Sequence, residues 1–347
     1  MLLAFFLSLG LTAACIHILR QTRVTQKLLD VPSARGLHVV PIPRIGGIAI
    51  FASVWALAGI WMQRDLVAGI AGLSFVLLAV SVIDDVKPLS AVLRLLVHAG
   101  AAILLLLLWV NAFGLQPGRT SMSIRLLMSP PGALAIALAI VWMTNLYNFM
   151  DGADGLAGGM SAVGFGTYAA ALTIQVGDAG PLGLLATALT GASLGFLLFN
   201  FSPAKVFMGD AGAIPLGFLA AALGIHGNLL GYWPWWFMVL VFSPFIVDAS
   251  VTLLRRTLQG HKPWVAHRDH FYQRLVIRGW SQRTTAVAYY ALMLSVSISA
   301  LVALRYPDPH VILLAWVIIY TLLLLYLQWH LRENKNNKSK NNDGDGT

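Results

Sequence analysis

Apolar residues run in long blocks along this chain, each about as long as a helix needs to cross the ~30 Å hydrocarbon layer of a bilayer, roughly 20 residues at about 1.5 Å each. Eleven such blocks can be read: 1–19, 45–62, 66–83, 91–110, 132–149, 156–176, 181–200, 212–229, 234–254, 284–304 and 311–329. Pro88, Pro131, Gly180-Pro181 and Pro234 mark turns between them. The pattern predicts an all-α polytopic membrane protein of about eleven transmembrane helices, forming a single integral-membrane domain over 1–332. The remainder, 333–347, is rich in Asn, Lys, Asp and Gly and is expected to be a disordered tail. Leu11 to Cys15 resembles a lipoprotein cleavage site, but the apolar run continues past the cysteine and no basic segment precedes it, so the first span is expected to stay uncleaved.

Composition sharpens this picture. Hydrophobic residues make up 58% of the chain and charged residues 11%, whereas soluble domains carry about a quarter charged. The basic residues set the orientation, because Lys and Arg in short loops stay on the cytoplasmic side. With the N-terminus outside, the outward loops hold only Arg64, Arg119, Arg125 and Arg305 of the 23 Lys and Arg, and the C-terminus falls inside. The net charge of +9 is thereby accounted for by topology and anionic lipid, not by nucleic acid. A single cysteine, Cys15, excludes an internal disulfide framework.

Four acidic clusters then stand out: Asp84-Asp85, Asp151 with Asp154, Asp210, and Asp269. On the expected topology all four reach the cytoplasmic face, where carboxylates beside greasy segments cost several kcal/mol unless they hold a cation or a substrate. Two adjacent carboxylates in Asp84-Asp85-Val86-Lys87 repel each other and call for a divalent cation, the lysine or a proton, although an interfacial capping pair is an equal reading. In Asn145 to Leu156, polar groups recur at steps of three toward a helix end. Helix-stop chemistry explains Asp151-Gly152 but not Asn145 and Asn148 inside an apolar run. Phe207-Met208-Gly209-Asp210 could stack a base and hold a metal, but alone it is more often an ordinary loop. His267-Arg268-Asp269-His270 suits phosphate oxygens, against the reading of a basic loop lying on headgroups. Arg35, His38 and Arg44 in the first inward loop are lipid-phosphate candidates or topology signals alike. Arg94 and Lys205 lie near the acids and could neutralise a diphosphate. Asp248 sits inside a span and is a functional candidate, or a partner for Arg255. His17 and His98 read as satisfied interior residues.

Taken together and in this order, the motifs at 84–87, 145–156, 207–210 and 267–270 resemble the polyprenyl-phosphate N-acetylhexosamine-1-phosphate transferases, over roughly residues 20 to 290. The chain looks most like the bacterial branch that initiates O-antigen and less like the peptidoglycan translocase that handles UDP-MurNAc-pentapeptide. The translocase loop has consecutive histidines, whereas Arg268 and Asp269 stand here between His267 and His270. The resemblance implies ten or eleven transmembrane helices in the inner membrane, a cytoplasmic cleft, Mg²⁺ with Mn²⁺ as a substitute, a UDP-N-acetylhexosamine donor, an undecaprenyl phosphate acceptor and a homodimer. It implies Asp84 and Asp85 as catalytic residues and Asp210 with Asn148 as metal ligands. Phe207 would stack on uracil, with Asp151, Asp154 and Asn145 shaping the nucleotide pocket. His267, Arg268 and His270, with Lys87 and Arg94, would grip the sugar diphosphate. GlcNAc or a 6-deoxy relative such as FucNAc or QuiNAc is the expected sugar. The rival from another class is an ion-coupled secondary transporter, which places its acids near the midplane at broken helices; a catalytically inactive scaffold of the same fold is a third reading.

Overall fold

A computed structural model of the chain describes residues 1–32, 40–61, 66–114, 121–177, 180–262, 265, 267–306 and 308–342. Its helices are, in order, α1 (Leu2–Leu19), α2 (Val24–Lys27), α3 (Gly46–Trp61), α4 (Leu66–Val86), α5 (Ala91–Gly114), α6 (Met122–Met128), α7 (Pro130–Met150), α8 (Leu156–Val176), α9 (Gly180–Asn200), α10 (Asp210–Leu229), α11 (Trp235–Val241), α12 (Ser243–Leu258), α13 (Phe271–Ile277), α14 (Gln282–Ala303) and α15 (His310–Asn342). Each apolar block of the sequence contains helix, so the polytopic all-α architecture stands. The span count differs. Among the described residues, eight helices are long and apolar enough to cross a membrane, and a ninth arises if α11 and α12 count as one span.

The shortfall has physical reasons. The block 234–254 breaks into α11 and α12, which meet at 78° around Phe242, just before Pro244. A proline at the start of a helix is well placed, but it cannot continue the helix before it. The apolar part of α3 is short, and α8 is rich in Gly, Ala and Thr. Helix α8 buries 14 of its 21 residues, so over that stretch it needs small residues for close packing more than it needs bulk apolar area. The last helix runs to Asn342, into the segment read as a tail.

The only strands among the described residues are β1 (Leu29–Asp30) and β2 (Ile42–Pro43), which pair antiparallel with Leu29 opposite Pro43. Their use is to position a loop. The carbonyl of Pro43 accepts the N–H of Phe207 at 2.8 Å, while Gly46 and Gly47 donate to the carbonyls of Phe207 and Met208 at 2.9 Å each. The loop before α10 is thus sewn to the entry of α3. At that seam a Cβ on Gly47 would lie 2.2 Å from the backbone nitrogen of Gly212, so only glycine permits this approach of α3 to α10. Helix α10 runs through the centre, with almost every residue from Ala211 to Leu229 buried against α4, α7 and their neighbours. It therefore holds Asp210, at its N-terminus, in a rigid frame.

Candidate active site

Three of the four acidic clusters meet where α4 and α7 end and where α5 and α10 begin. Asp85 places its carboxylate at the N-terminus of α10, accepting the N–H of Asp210 at 3.3 Å and of Ala211 at 3.0 Å. A carboxylate in that position satisfies orphan donors and opposes the helix dipole. Gly209, at φ +73°, makes room for it: a Cβ there would stand 2.9 Å from Asp85 Oδ2. Its neighbour Asp84 turns the other way, accepting from the Leu89 N–H at 2.6 Å and from Arg94 Nη1 at 3.1 Å. The same guanidinium nitrogen lies 3.4 Å from Asp210 Oδ2. Arg94 therefore bridges two acids 126 positions apart in sequence, Asp84 and Asp210.

Two cavities open beside this cluster. The smaller, about 190 Å³, is polar. Asn148, Asp151, Asp154, Phe207 and Asp210 line it, together with Asp30, Arg44, Asn200, Gln273 and Gln282. The larger, about 560 Å³, is mostly apolar, with walls from α5, α7 and α10 and a rim formed by Arg94, Asn145, His267 and His270. Asn148 and Gln273 belong to both. The two spaces are neighbours with a shared wall.

Loop contacts fix the polar cavity. Asp154 accepts the Ala204 N–H at 3.0 Å through Oδ2, and its own N–H donates to Gln282 Oε1 at 2.8 Å. Asn200 joins the same loops, taking the Gly155 N–H at 2.9 Å and giving its amide to the Val206 carbonyl at 2.9 Å. Arg44 pairs with Asp30 at 2.5 Å and reaches Asp85 at 3.6 Å. It faces the polar cavity, on the other side of the cluster from the apolar groove. Burial, then the nearby Asp210 and Asp85 carboxylates, push the Asp151 carboxyl well above the usual carboxylate range.

That excess of negative charge bears on the metal expected here. All the donors are oxygens of carboxylates and amides, the set that suits a hard cation such as Mg²⁺. Among the described residues no three His, Cys, Asp or Glu side chains are placed to hold an ion by themselves. Mg²⁺ ordinarily takes one or two carboxylates and completes its shell with phosphate oxygens and water. Asp210 and Asn148 fit that pattern.

The histidine loop borders the groove. His267 and His270 stand with ring centroids 4.9 Å apart, and His270 stacks on Phe149 at 6.2 Å. Burial, followed by His270 and Arg256, lowers the His267 pKa to about 4, so at neutral pH it enters as a neutral imidazole. Asp269 turns away from both cavities. It ion-pairs with Arg256, and its carbonyl accepts from Arg255 at 2.8 Å. The fourth acidic cluster is thus a fastener for the loop, and Arg255 and Arg256 are engaged by protein instead of by headgroups.

Of the remaining sequence candidates, Lys87 is exposed and lines neither cavity, and Lys205 is likewise exposed outside them. Arg268 also lines neither. Arg35 and His38 lie outside the described residues. Sequence reading missed Asn200, Gln273 and Gln282. Asn200 ends an apolar run much as Asn148 does and could have been found that way; two glutamines in polar segments carry no such signal.

Comparison with known proteins gives the family. The family described as Glycosyl transferase family 4 matches residues 67–228, from α4 to the end of α10. A probable undecaprenyl-phosphate N-acetylglucosaminyl 1-phosphate transferase of Bacillus subtilis (strain 168) is 30% identical over 313 residues, covering 86% of this chain and 84% of its own. The chain belongs to the polyprenyl-phosphate N-acetylhexosamine-1-phosphate transferases. Other relatives of this transferase carry two different transferred sugars in their names. An undecaprenyl-phosphate alpha-N-acetylglucosaminyl 1-phosphate transferase of Yersinia pestis is 27% identical over 328 residues, covering 90% of this chain and 86% of its own. A phospho-N-acetylmuramoyl-pentapeptide-transferase of Corynebacterium jeikeium (strain K411) is 28% identical over 344 residues, covering 83% and 91%.

Proposed function

We propose that this transferase moves N-acetylhexosamine-1-phosphate from a UDP-sugar to undecaprenyl phosphate at the cytoplasmic face of a bacterial inner membrane, with release of UMP. The product, a lipid-diphosphate-sugar, would start O-antigen or a related surface polysaccharide, and GlcNAc, the sugar named in the Bacillus and Yersinia relatives, is the first to try. The observation that carries this reading is the pair of adjoining cavities: a polar one lined by carboxylates, amides and an aromatic ring, which suits a nucleotide diphosphate, and a larger apolar one, which suits a lipid, meeting at Asn148 and Gln273.

In the reaction, an oxygen of the lipid phosphate forms a bond to the sugar-bearing phosphorus, and the bond from that phosphorus to the bridging oxygen breaks, leaving UMP. The chief obstacle is repulsion between a phosphate monoester and a diphosphate. Asp210 and Asn148 would hold Mg²⁺, which when bound supplies neutralising charge to the diphosphate oxygens. Arg94, at the rim of the groove, adds a guanidinium able to bond a phosphate in two places. A phosphate monoester has its second pKa near 6 and is largely ionised at neutral pH, so Asp84 need not act as a strong base. It can orient the nucleophile through Arg94, which it already holds. Phe207 offers the polar cavity an aromatic face for the base. The transporter reading loses its footing, because its one intramembrane acid, Asp248, is filled by protein donors.

The test is purified protein given a panel of UDP-N-acetyl sugars and undecaprenyl phosphate, with UMP and the mass of the lipid product as readouts. UMP release is expected to stop with EDTA and in Asp84→Asn and Asp210→Asn proteins that still fold. Wild-type turnover in either variant would remove that residue from its role, and the absence of any lipid-diphosphate product would reject the reading.

A further inference from the structure

Asp248 lies inside α12 and is 3% exposed. Its carboxylate is nonetheless the hub of the histidine loop. It accepts the Phe271 N–H at 2.9 Å, the Tyr272 N–H at 3.2 Å, the Tyr289 hydroxyl at 2.5 Å and the Thr252 hydroxyl at 3.3 Å. His270 Nδ1 stands 3.4 Å from Asp248 Oδ1, with both side chains 3% exposed. The sequence offered Arg255 as its partner, but Arg255 instead donates to the Asp269 carbonyl. A buried carboxylate keeps its charge cheaply only where donors surround it, and here two backbone donors come from the residues just after His270, with the His270 ring itself in contact.

We infer that Asp248 is a positioning residue for the transfer reaction: it takes His270 Nδ1, fixes the ring, and leaves Nε2 for the diphosphate at the rim of the groove. The inference deepens the functional reading above and rests on it. A histidine that must meet a ligand with one nitrogen is oriented by what binds the other, and such outer partners are worth roughly 10- to 100-fold when removed. Tyr272 extends the device, since its N–H is held by Asp248 while its hydroxyl donates to the Phe149 carbonyl at 2.9 Å, next to Asn148. Phe149 in turn stacks on His270. The intramembrane acid, the loop and the end of α7 thus form one closed set of contacts around the imidazole.

A double-mutant cycle tests it, with kcat/KM for UMP release and the Kd for UDP-sugar measured on wild type, Asp248→Asn, His270→Ala and the pair. Asp248→Asn is expected to lower kcat/KM by roughly 10- to 100-fold in the wild-type background and by less than about 3-fold in the His270→Ala background. A carboxylate that only holds the fold together would cost as much in both backgrounds, and that additive result would overturn the inference. Tyr289→Phe, which removes one hydroxyl from Asp248, is the second variant should Asp248→Asn fail to fold; it is expected to show the same dependence on His270, and equal losses in both backgrounds would again overturn the proposal. Wild-type protein that binds no UDP-sugar would sink the functional reading and this inference together, whereas turnover with additive variants would sink this inference alone.

Discussion

At the scale of single residues, the charges around α10 act through shared partners. Arg94 reaches Asp84 and Asp210 with one nitrogen, which leaves the rest of its fork for a phosphate. Lysine has no fork, so Arg94→Lys is expected to lower kcat/KM on the order of 100-fold while the thermal midpoint hardly moves. Parallel turnover assays and melting curves would check both halves. Asp151 gives a prediction in pH. Its folded pKa is raised, so the folded state binds the proton more tightly than the unfolded chain, and stability falls as pH climbs from the ordinary carboxylate range, about 4, through the raised value. A divalent cation relieves the same repulsion. Mg²⁺ is therefore expected to raise the thermal midpoint more at pH 8 than at pH 5, as differential scanning fluorimetry in detergent would show. The sequence displayed which acids were out of place among apolar residues. It did not display that Asp85 would close a helix end or that Asp269 would fasten a loop, because those roles depend on partners more than 10 positions away.

Helices were legible wherever the apolar run is long, whether it faces outward, as in α5, or inward, as in α10. Blocks such as 66–83 and 91–110 carry continuous apolar sequence because α4 and α5 present it to the membrane. Helix α8 is mostly buried from Leu156 to Leu172, so small residues replace large apolar ones there and hydropathy understates it. The bend between α11 and α12 was invisible for another reason: Pro244 reads equally as a helix start or as a kink inside a longer span. The same dependence on small residues makes a prediction for the α3–α10 seam. Gly47→Ala pushes a methyl into the Gly212 backbone, where no side chain can rotate away. Overpacking of this sort costs about 1–3 kcal/mol. Because the seam also fixes the loop at 207–210, activity is expected to fall along with the melting temperature, and Gly72→Ala, which meets open space on α4, serves as the control.

For the molecule as a whole, the positive-inside count predicts which ends of the helices meet the cytoplasm. Cys15 is the only cysteine, so a Cys15→Ser background makes the test simple. In intact cells, a membrane-impermeant maleimide is expected to label Asp308→Cys but not His261→Cys, both of which sit at exposed positions. Labelling in the reverse order would turn the site outward and remove the UDP-sugar from reach. The bridge made by Arg94 has a consequence at this scale as well. Without a divalent ion, the protein neutralises its own carboxylates with a guanidinium that the acceptor also needs. An ion that takes Asp210 sets part of that guanidinium free, so the ion and the lipid phosphate should each tighten the other's hold by the same factor. Acceptor titrations at rising Mg²⁺ would then show an apparent affinity that climbs with the ion, and the resting enzyme would discriminate against whichever reactant arrives alone.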